Sequence, residues 1–414
     1  MRILITTDAF PPTSGGSGWS TYELARGLRA RGHEIVLAQT YSERSPIPPG
    51  YDHFSVIPLP AFAPRVPFVR NYFRNERLYG RLSKRLRELI TAERIDLVHA
   101  QHVLTGPPSI LAARHARVPS VCTVRDYWPL CYWSDILQDP VEGLVCPRCS
   151  AGAMTRCLPP RAGVAWPATL PMIPYMRANL RRKQHALSSA DAIVAVSRPV
   201  AAHLRERAPD VKWPRIEVIP NAVDVAEVRA AVAAADRPMI HPYGLFVGKL
   251  ARNKGVHSLV EVAGRAMLDL PLVVIGDGPE RAAVVVAAKK ASRDIRLLGW
   301  LPRDQVFRWL RHASLLIFPS NCPETLSRVL IEASALSVPI AAMDTGGTSD
   351  IIIDEETGLL SRSVEELAAD VSRLAADAAL RARLGEAAGR RAESTFDAPA
   401  VVGRFEKLYK DLVS

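Results

Sequence analysis

The sequence predicts an α/β protein made of two Rossmann-like, doubly wound parallel-sheet domains. Three observations carry that prediction. Short apolar runs alternate with longer amphipathic ones along the whole chain, which is the signature of parallel sheets covered by helices. A glycine turn, Gly15-Gly16-Ser17-Gly18, links the first apolar run to an amphipathic stretch. The pattern then restarts beyond a turn at Pro220-Asn221. A length of 414 residues suits two or three domains of roughly 100–200 residues each. The expected boundaries are 1–220, 221–396 and 397–414. The last segment is a helix packing back on the first domain, and the two domains are expected to face each other across a ligand-binding crevice.

Each element follows from local pattern. Ile3–Thr6, Glu34–Ala38, Leu97–Ala100, Ser120–Val124 and Ala192–Val196 read as buried strands. The helix after the glycine turn runs from about Thr21 to Arg31 and stops at Gly32. Ile216–Ile219 reads as another strand, and residues 222–240 as a linker with a short helix. The second domain opens at Tyr243–Gly248, with further strands at Leu272–Ile275, Ile295–Leu298, Leu315–Phe318 and Ile340–Ala342. Helices are expected at Thr325–Leu336 and about Ala398–Leu412.

Composition narrows the function classes. No apolar run reaches the ~18 residues of a membrane span, and the start, Met1-Arg2-Ile3-Leu4-Ile5, lacks the features of a signal peptide. A cytoplasmic protein is expected. The net charge of +11 is unevenly spread: residues 1–190 hold 24 Lys or Arg against 13 Asp or Glu, and the remainder is balanced. A basic first half suits an anionic partner or an acidic membrane surface. Nucleic acid is excluded as the leading reading, because no zinc-finger, helix-turn-helix or RNA-recognition pattern accompanies the charge. Residues Arg65–Arg94 interleave Arg with Phe68, Tyr72, Phe73, Leu78, Tyr79 and Leu82. Such a pattern fits either an amphipathic surface resting on anionic lipid or a helix pair solvating one face.

The most specific stretch is Phe318-Pro319-Ser320-Asn321-Cys322-Pro323-Glu324-Thr325-Leu326-Ser327-Arg328-Val329-Leu330-Ile331-Glu332-Ala333. On one helix, Glu324 and Glu332 would project from similar faces about 12 Å apart, a spacing for two hydroxylated groups of one extended ligand. Amides at Thr325-Leu326 would open that helix and favour a phosphate between the carboxylates.

With this stretch in view, the chain resembles the retaining nucleotide-sugar glycosyltransferases of family 4, which have the GT-B fold. The motifs carrying the resemblance are Gly15-Gly16, Pro220-Asn221-Ala222-Val223-Asp224, Gly248-Lys249 with Lys254-Gly255, Gly276-Asp277-Gly278-Pro279-Glu280, the Glu324/Glu332 pair, Thr345-Gly346-Gly347 and Glu356-Thr357-Gly358-Leu359-Leu360. Singly, each has a bland reading as a turn or a surface lysine. Their order and spacing together are specific.

The resemblance implies roles. Glu332 would bind the donor ribose, Glu324 a hydroxyl of the transferred sugar, and Lys249 and Lys254 the diphosphate. The family more often has Arg at position 249, and Lys keeps the charge without the bidentate fork. Gly15 and Gly16 would approach a phosphate or the acceptor through backbone N–H groups. Trp300 and Leu301 fall where the family cradles the base, although a lone Trp is more often core. Gly276-Asp277-Gly278 is left as a structural turn. No two aspartates sit two apart, so no catalytic metal is expected at the diphosphate.

One departure stands out. The family often has His-Asp after the strand at Val121–Val124, where this chain has Arg125-Asp126. Arg stays cationic and cannot relay protons; it would grip the diphosphate or a negatively charged sugar or acceptor, or form a structural salt bridge with Asp126 or a neighbour. His99, His102 and Asp126 are the acceptor-side candidates, with a merely hydrogen-bonded strand-end histidine as the other reading.

Five of the six cysteines lie between residues 122 and 157. Cys131, Cys146, Cys149 and Cys157 include a Cys-x-x-Cys pair, which in a reducing compartment favours structural Zn²⁺, an iron–sulfur cluster being the second choice. Free thiols are the alternative. The resemblance implies a retaining glycosyltransferase moving a sugar from UDP- or GDP-sugar to a hydroxyl of a glycan, lipid-linked or small-molecule acceptor, and the basic first half suits peripheral contact at the inner membrane face. The alternative is a GT-B protein that binds nucleotide sugar or a partner without turnover.

Overall fold

A computed structural model describes residues 1–12, 14–42, 47–64, 67–266, 270–291 and 293–414. They form two compact units. One comprises Met1–Gln138, Cys146–Ala222 and Ala398–Ser414; the other comprises Asp139–Val145 and Val223–Asp397.

The first unit is built on a seven-stranded sheet of order β3-β2-β1-β4-β5-β8-β9, parallel throughout. The strands are β1 (Arg2–Thr7), β2 (Glu34–Tyr41), β3 (Val56–Pro60), β4 (Leu97–Ala100), β5 (Ser120–Val124), β8 (Ala192–Ala195) and β9 (Arg215–Val218); β6 (Leu137–Asp139) and β7 (Leu144–Val145) belong to the cysteine-bearing insert. Central strands such as β4 and β5 are buried along their whole length, as a parallel sheet covered on both faces requires. Helix α1 (Gly16–Ala30) starts at the extended residue Gly15. Helix α2 (Leu78–Ala92) buries Leu78, Leu82, Leu86 and Ile90, one per turn. Helix α3 (Ile173–Ser188) follows the insert. The final helix, α5 (Ala398–Val413), packs Val401, Val402, Phe405, Leu408 and Tyr409 into the core that holds Ile3, Ile5 and Leu28.

The second unit carries a six-stranded parallel sheet of order β12-β11-β10-β13-β14-β15. Its strands are β10 (Gly244–Val247), β11 (Leu272–Ile275), β12 (Ile295–Gly299), β13 (Leu315–Phe318), β14 (Ile340–Met343) and β15 (Leu359–Ser361). Helix α4 (Arg328–Ala335) follows β13.

In both sheets the strand order reverses beside the first strand, between β1 and β4 and between β10 and β13. Loops leaving the carboxyl ends of those strands diverge and open a ligand site. In the first unit these loops begin at Asp8 and Gln101, and in the second at Gly248 and Pro319.

Two sequence expectations change. The helix expected from Thr325 starts three residues later, at Arg328, because Ser327 is its extended N-terminal flank. Glu324 therefore sits in the preceding loop rather than at the mouth of the helix. The amphipathic surface expected around residues 65–94 also differs. Its apolar residues Leu78 and Leu82 face the core and Arg81, Lys84 and Arg85 are exposed, as in the alternative of helices solvating one face. Arg65 and the Phe68 side chain lie outside the described residues.

Candidate active site

The second unit assembles its site at the ends of β10 and β13. Gly255 has φ +67°, and a Cβ there would fall 1.8 Å from the Pro319 carbonyl oxygen. Only glycine lets the 252–255 turn lie this close to the loop after β13. The contact sets Lys254 beside Glu324, with Nζ 2.6 Å from Oε1. The Ser320 hydroxyl donates to the same carboxylate oxygen, and the Cys322 thiol lies 3.8 Å away. Glu324 is only 7% exposed. Burial lowers the affinity of the Lys254 amine for its proton, but Glu324 and Cys322 outweigh it, leaving the ammonium above its ordinary pKa.

The loop is also clamped from the other side. Gly347 N–H donates to the Glu324 carbonyl at 2.7 Å. A Cβ on Gly346, where φ is +54°, would lie 2.2 Å from that carbonyl oxygen. The Thr345 hydroxyl bonds the Ser320 carbonyl at 3.2 Å. The Thr345-Gly346-Gly347 motif thus fixes the backbone that carries the carboxylate.

Glu332 lies within α4, buried, its Oε1 2.8 Å from Arg328 Nε and 3.5 Å from Arg303 Nε. Lys249, at the end of β10, is exposed. Trp300 is 66% exposed after β12, which corrects its reading as core; Leu301 beside it is half-buried. Thr325 is half-buried and Leu326 buried, and neither amide opens α4. The reading of Thr325-Leu326 as a helix-end phosphate cradle is withdrawn on that ground. Ser320, Arg328 and Arg303 were missed as partners. Arg328 was legible four residues before Glu332 on one helix; Ser320 and Arg303 reach the carboxylates only through tertiary folding.

In the first unit, the ends of β1, β4 and β5 bring Asp8, His102, Arg125 and Asp126 together. His102 Nδ1 is 3.0 Å from the Thr7 hydroxyl and accepts from the Asp8 N–H at 3.3 Å. Its Nε2 is buried and has no hydrogen-bond partner among the described residues. Burial, helped by Arg125, pushes its pKa down to about 3, so the ring is neutral at pH 7. Burial raises both Asp8 and Asp126 to about 6. Asp126 accepts from the Trp128 N–H at 2.8 Å and feels the charge of Lys183, itself lowered to about 8 by burial. Arg125 Nη2 donates to Gln101 Oε1 at 2.5 Å and Nη1 to Asn221 Oδ1. Both of these partners are neutral amides.

Gly15 and Gly16 are exposed at the start of α1, and the neighbouring Ser14 hydroxyl is buried without a hydrogen-bond partner among the described residues. His99 departs from expectation. It is fully buried, with Nδ1 2.5 Å from the Tyr409 hydroxyl and Nε2 2.7 Å from the Thr123 hydroxyl. It fastens α5 to the sheet and is withdrawn as an acceptor residue. Nothing in the sequence places Tyr409, 310 residues away, against it.

The metal expectation also requires correction. Cys131, Cys146, Cys149 and Cys157 line one small, largely apolar pocket, and all are free thiols. Among the described residues, however, no three or more His, Cys, Asp or Glu side chains are gathered to hold a metal ion. The Cys146 and Cys157 thiols face backbone carbonyls, of Arg148 at 3.4 Å and Met154 at 3.3 Å. Cys131 faces Asp135 at 3.6 Å. Spacing brought the four to one pocket, but three of the sulfur atoms, those of Cys131, Cys146 and Cys157, are turned to separate oxygen partners.

Family models close the question of kinship. Residues 14–227 match Glycosyltransferase Family 4 and residues 233–391 match Glycosyl transferases group 1. The chain belongs to glycosyltransferase family 4. It is an enzyme of that class, with the GT-B type of two α/β units. It is similar to a glycogen synthase of Mycobacterium tuberculosis, 26% identical over 99% of this chain and 94% of the relative. It is also similar to a D-inositol 3-phosphate glycosyltransferase of Xylanimonas cellulosilytica, 28% identical over 93% and 89% of the two chains. Among solved structures, Anabaena Alr3699/HepE in complex with UDP shares the fold at a TM-score of 0.67 and 16% identity, over the full length of both chains. No described helix of this glycosyltransferase is long and apolar enough to cross a membrane.

Proposed function

We propose that this glycosyltransferase moves a hexose-type sugar from a UDP- or GDP-sugar to an acceptor hydroxyl with retention of configuration. The observation that carries the reading is the buried Glu324 carboxylate paired to Lys254 at 2.6 Å at the carboxyl end of β13. That pairing sets a hydroxyl-binding oxygen beside a phosphate-binding cation. The binding of UDP by the Anabaena structure supports a nucleotide diphosphate donor.

The chemistry follows from charge. As the glycosidic bond to the diphosphate breaks, negative charge grows on the leaving oxygens. Lys254, which keeps its proton, and Lys249 stabilise it. The N–H groups at Gly15-Gly16 and the Ser14 hydroxyl offer further donors to phosphate or acceptor. Glu324 orients a hydroxyl of the transferred sugar, Glu332 the ribose, and Trp300 with Leu301 the base. The acceptor hydroxyl attacks the same face that the diphosphate leaves. His102 Nε2 and Asp126 orient the acceptor, and Arg125 supplies a fixed cation for the departing diphosphate or an anionic acceptor. Exposed Arg81, Lys84 and Arg85 on α2 give a lipid-linked acceptor an electrostatic contact at an anionic membrane.

A nucleotide-sugar panel tests the reading by donor hydrolysis and thermal stabilisation. One donor should stabilise the wild type and turn over, with Glu324→Ala and Glu332→Ala each losing at least about tenfold in kcat/KM. Arg125→His should lose activity as Arg125→Met does. Full activity in Arg125→His would remove the role of the charge, and binding without any turnover would overturn the transferase. Binding to phosphatidylglycerol vesicles should fall when Arg81, Lys84 and Arg85 are neutralised; unchanged binding removes the membrane contact.

A further inference from the structure

A second concave site lies wholly within the first unit, beside the insert. It is an open cleft of ≈740 Å³ between α3, the Cys146–Ser150 segment and the turn at Ala208–Lys212. That volume is in the range of small-ligand sites. Its lining holds Arg148, Arg177, Arg181, Arg207 and Lys212, against the single acid Asp210.

Two of the five cations are already engaged. Arg148 pairs with Asp210, and Arg207 donates to the Cys146 carbonyl. Arg177, Arg181 and Lys212 are exposed, with no hydrogen bond or ion pair among the described residues. Arg177, Arg181 and His185 stand one helical turn apart on one face of α3. Like charges at that spacing repel, so an arrangement that repeats them and leaves them without acids is suited to an anion. Arg177 and Arg181 are about 6 Å apart along the helix, and Lys212 adds a third cation from the Ala208–Lys212 turn, so the positive charge extends beyond the reach of one phosphate. Gln184 and Ser188, on the same lining, add neutral donors and acceptors. A concave wall with neutral groups among the cations fits a discrete hydroxylated ligand better than a flat lipid surface.

We propose that this cleft binds a small hydroxylated ligand carrying two phosphate groups, through Arg177, Arg181 and Lys212. The site is separate from the carboxylates and lysines of the second unit and stands whether or not the donor reading holds.

Glucose 1,6-bisphosphate is the probe, titrated calorimetrically into full-length protein carrying Lys249→Ala and Lys254→Ala, so that those two cations contribute nothing. One equivalent should bind, and adding Arg177→Ala and Arg181→Ala should weaken it at least about tenfold. Adding Lys289→Ala and Lys290→Ala, exposed cations of the second unit, instead should leave it unchanged. Because all four added positions are exposed, unchanged melting temperatures will show that the variants are folded. Absence of saturable binding, equal loss in both sets of variants, or binding only to phosphatidylglycerol vesicles would each overturn the proposal.

Discussion

Breaking the Lys254–Glu324 pair should show how strongly the buried carboxylate depends on its cation. At 2.6 Å, two unit charges attract by about 1.6 kcal/mol in bulk water and about 6 kcal/mol at an effective dielectric near 20. The Lys254 side chain is 30% exposed and that of Glu324 8%, so the pair is largely buried and the cost of desolvating both charges offsets most of that attraction. A coupling of about 2 kcal/mol is the expected result. Lys254→Met keeps the hydrocarbon stem and Glu324→Gln keeps the shape, so each removes charge with little change in packing. Lys254→Met should be the more damaging single change, because it leaves a buried carboxylate with the Ser320 hydroxyl as its main remaining partner. The assay is a double-mutant cycle read by hydrogen exchange of β13 and α4 amides, which reports this region without assuming that the whole chain unfolds in one step. Effects that simply add, with coupling below about 0.5 kcal/mol, would refute the claim that the pair organises the loop.

Three further outcomes follow from the same structure. Gly255→Ala would put a Cβ 1.8 Å from the Pro319 oxygen at a φ of +67°; it should cost more than about 2 kcal/mol and weaken UDP binding, and a melting temperature within a degree of wild type would contradict the packing argument. Asp8, raised by burial from 3.8 to about 6, binds its proton more tightly when folded, so its contribution to stability is lost as pH rises from about 4 through 6; Asp8→Asn should gain about 2 kcal/mol relative to wild type between pH 4 and 7, and thermal melts showing no pH-dependent gain would exclude it. Tyr409→Phe removes the hydroxyl 2.5 Å from His99 Nδ1 and should cost about 1–2 kcal/mol, seen as faster exchange in β4 and α5; unchanged exchange would mean that His99 does not anchor the helix.

The sheets were legible because parallel strands buried on both faces are written as short apolar runs. β4, β5, β11 and β13 were read to the residue. β3 and β15 were missed for the same physical reason. β3 is half-exposed at the sheet edge and its Val-Ile-Pro-Leu-Pro run carries two prolines, while β15 is three residues long, so neither reads as a strand. Within the site, Glu324 and Lys254 were found from motif order, but their contact was not. It depends on Gly255 meeting Pro319, a tertiary fact. The two histidines could not be told apart in the sequence, where each was either an acceptor residue or a merely hydrogen-bonded strand-end histidine. His99 and His102 share a strand end, and only the fold shows that one points at α5 while the other keeps a ring nitrogen without a partner among the described residues.

The pairing of Lys254 with Glu324 bears on how a diphosphate could be received. An ammonium has three donors, and one of them is committed to Oε1 of Glu324. A phosphate therefore need not displace the carboxylate; it can take a second donor while the first holds the side chain in place. The cost of ordering a long lysine is then met before the ligand arrives. Lys249, exposed at the end of β10, has no such tether among the described residues and must be ordered by the ligand itself. Removing Lys254 should accordingly weaken UDP binding more than removing Lys249, although both lysines carry the same charge. Equal losses, measured by UDP titration of Lys249→Ala and Lys254→Ala, would show that charge alone governs binding and that the tether contributes nothing.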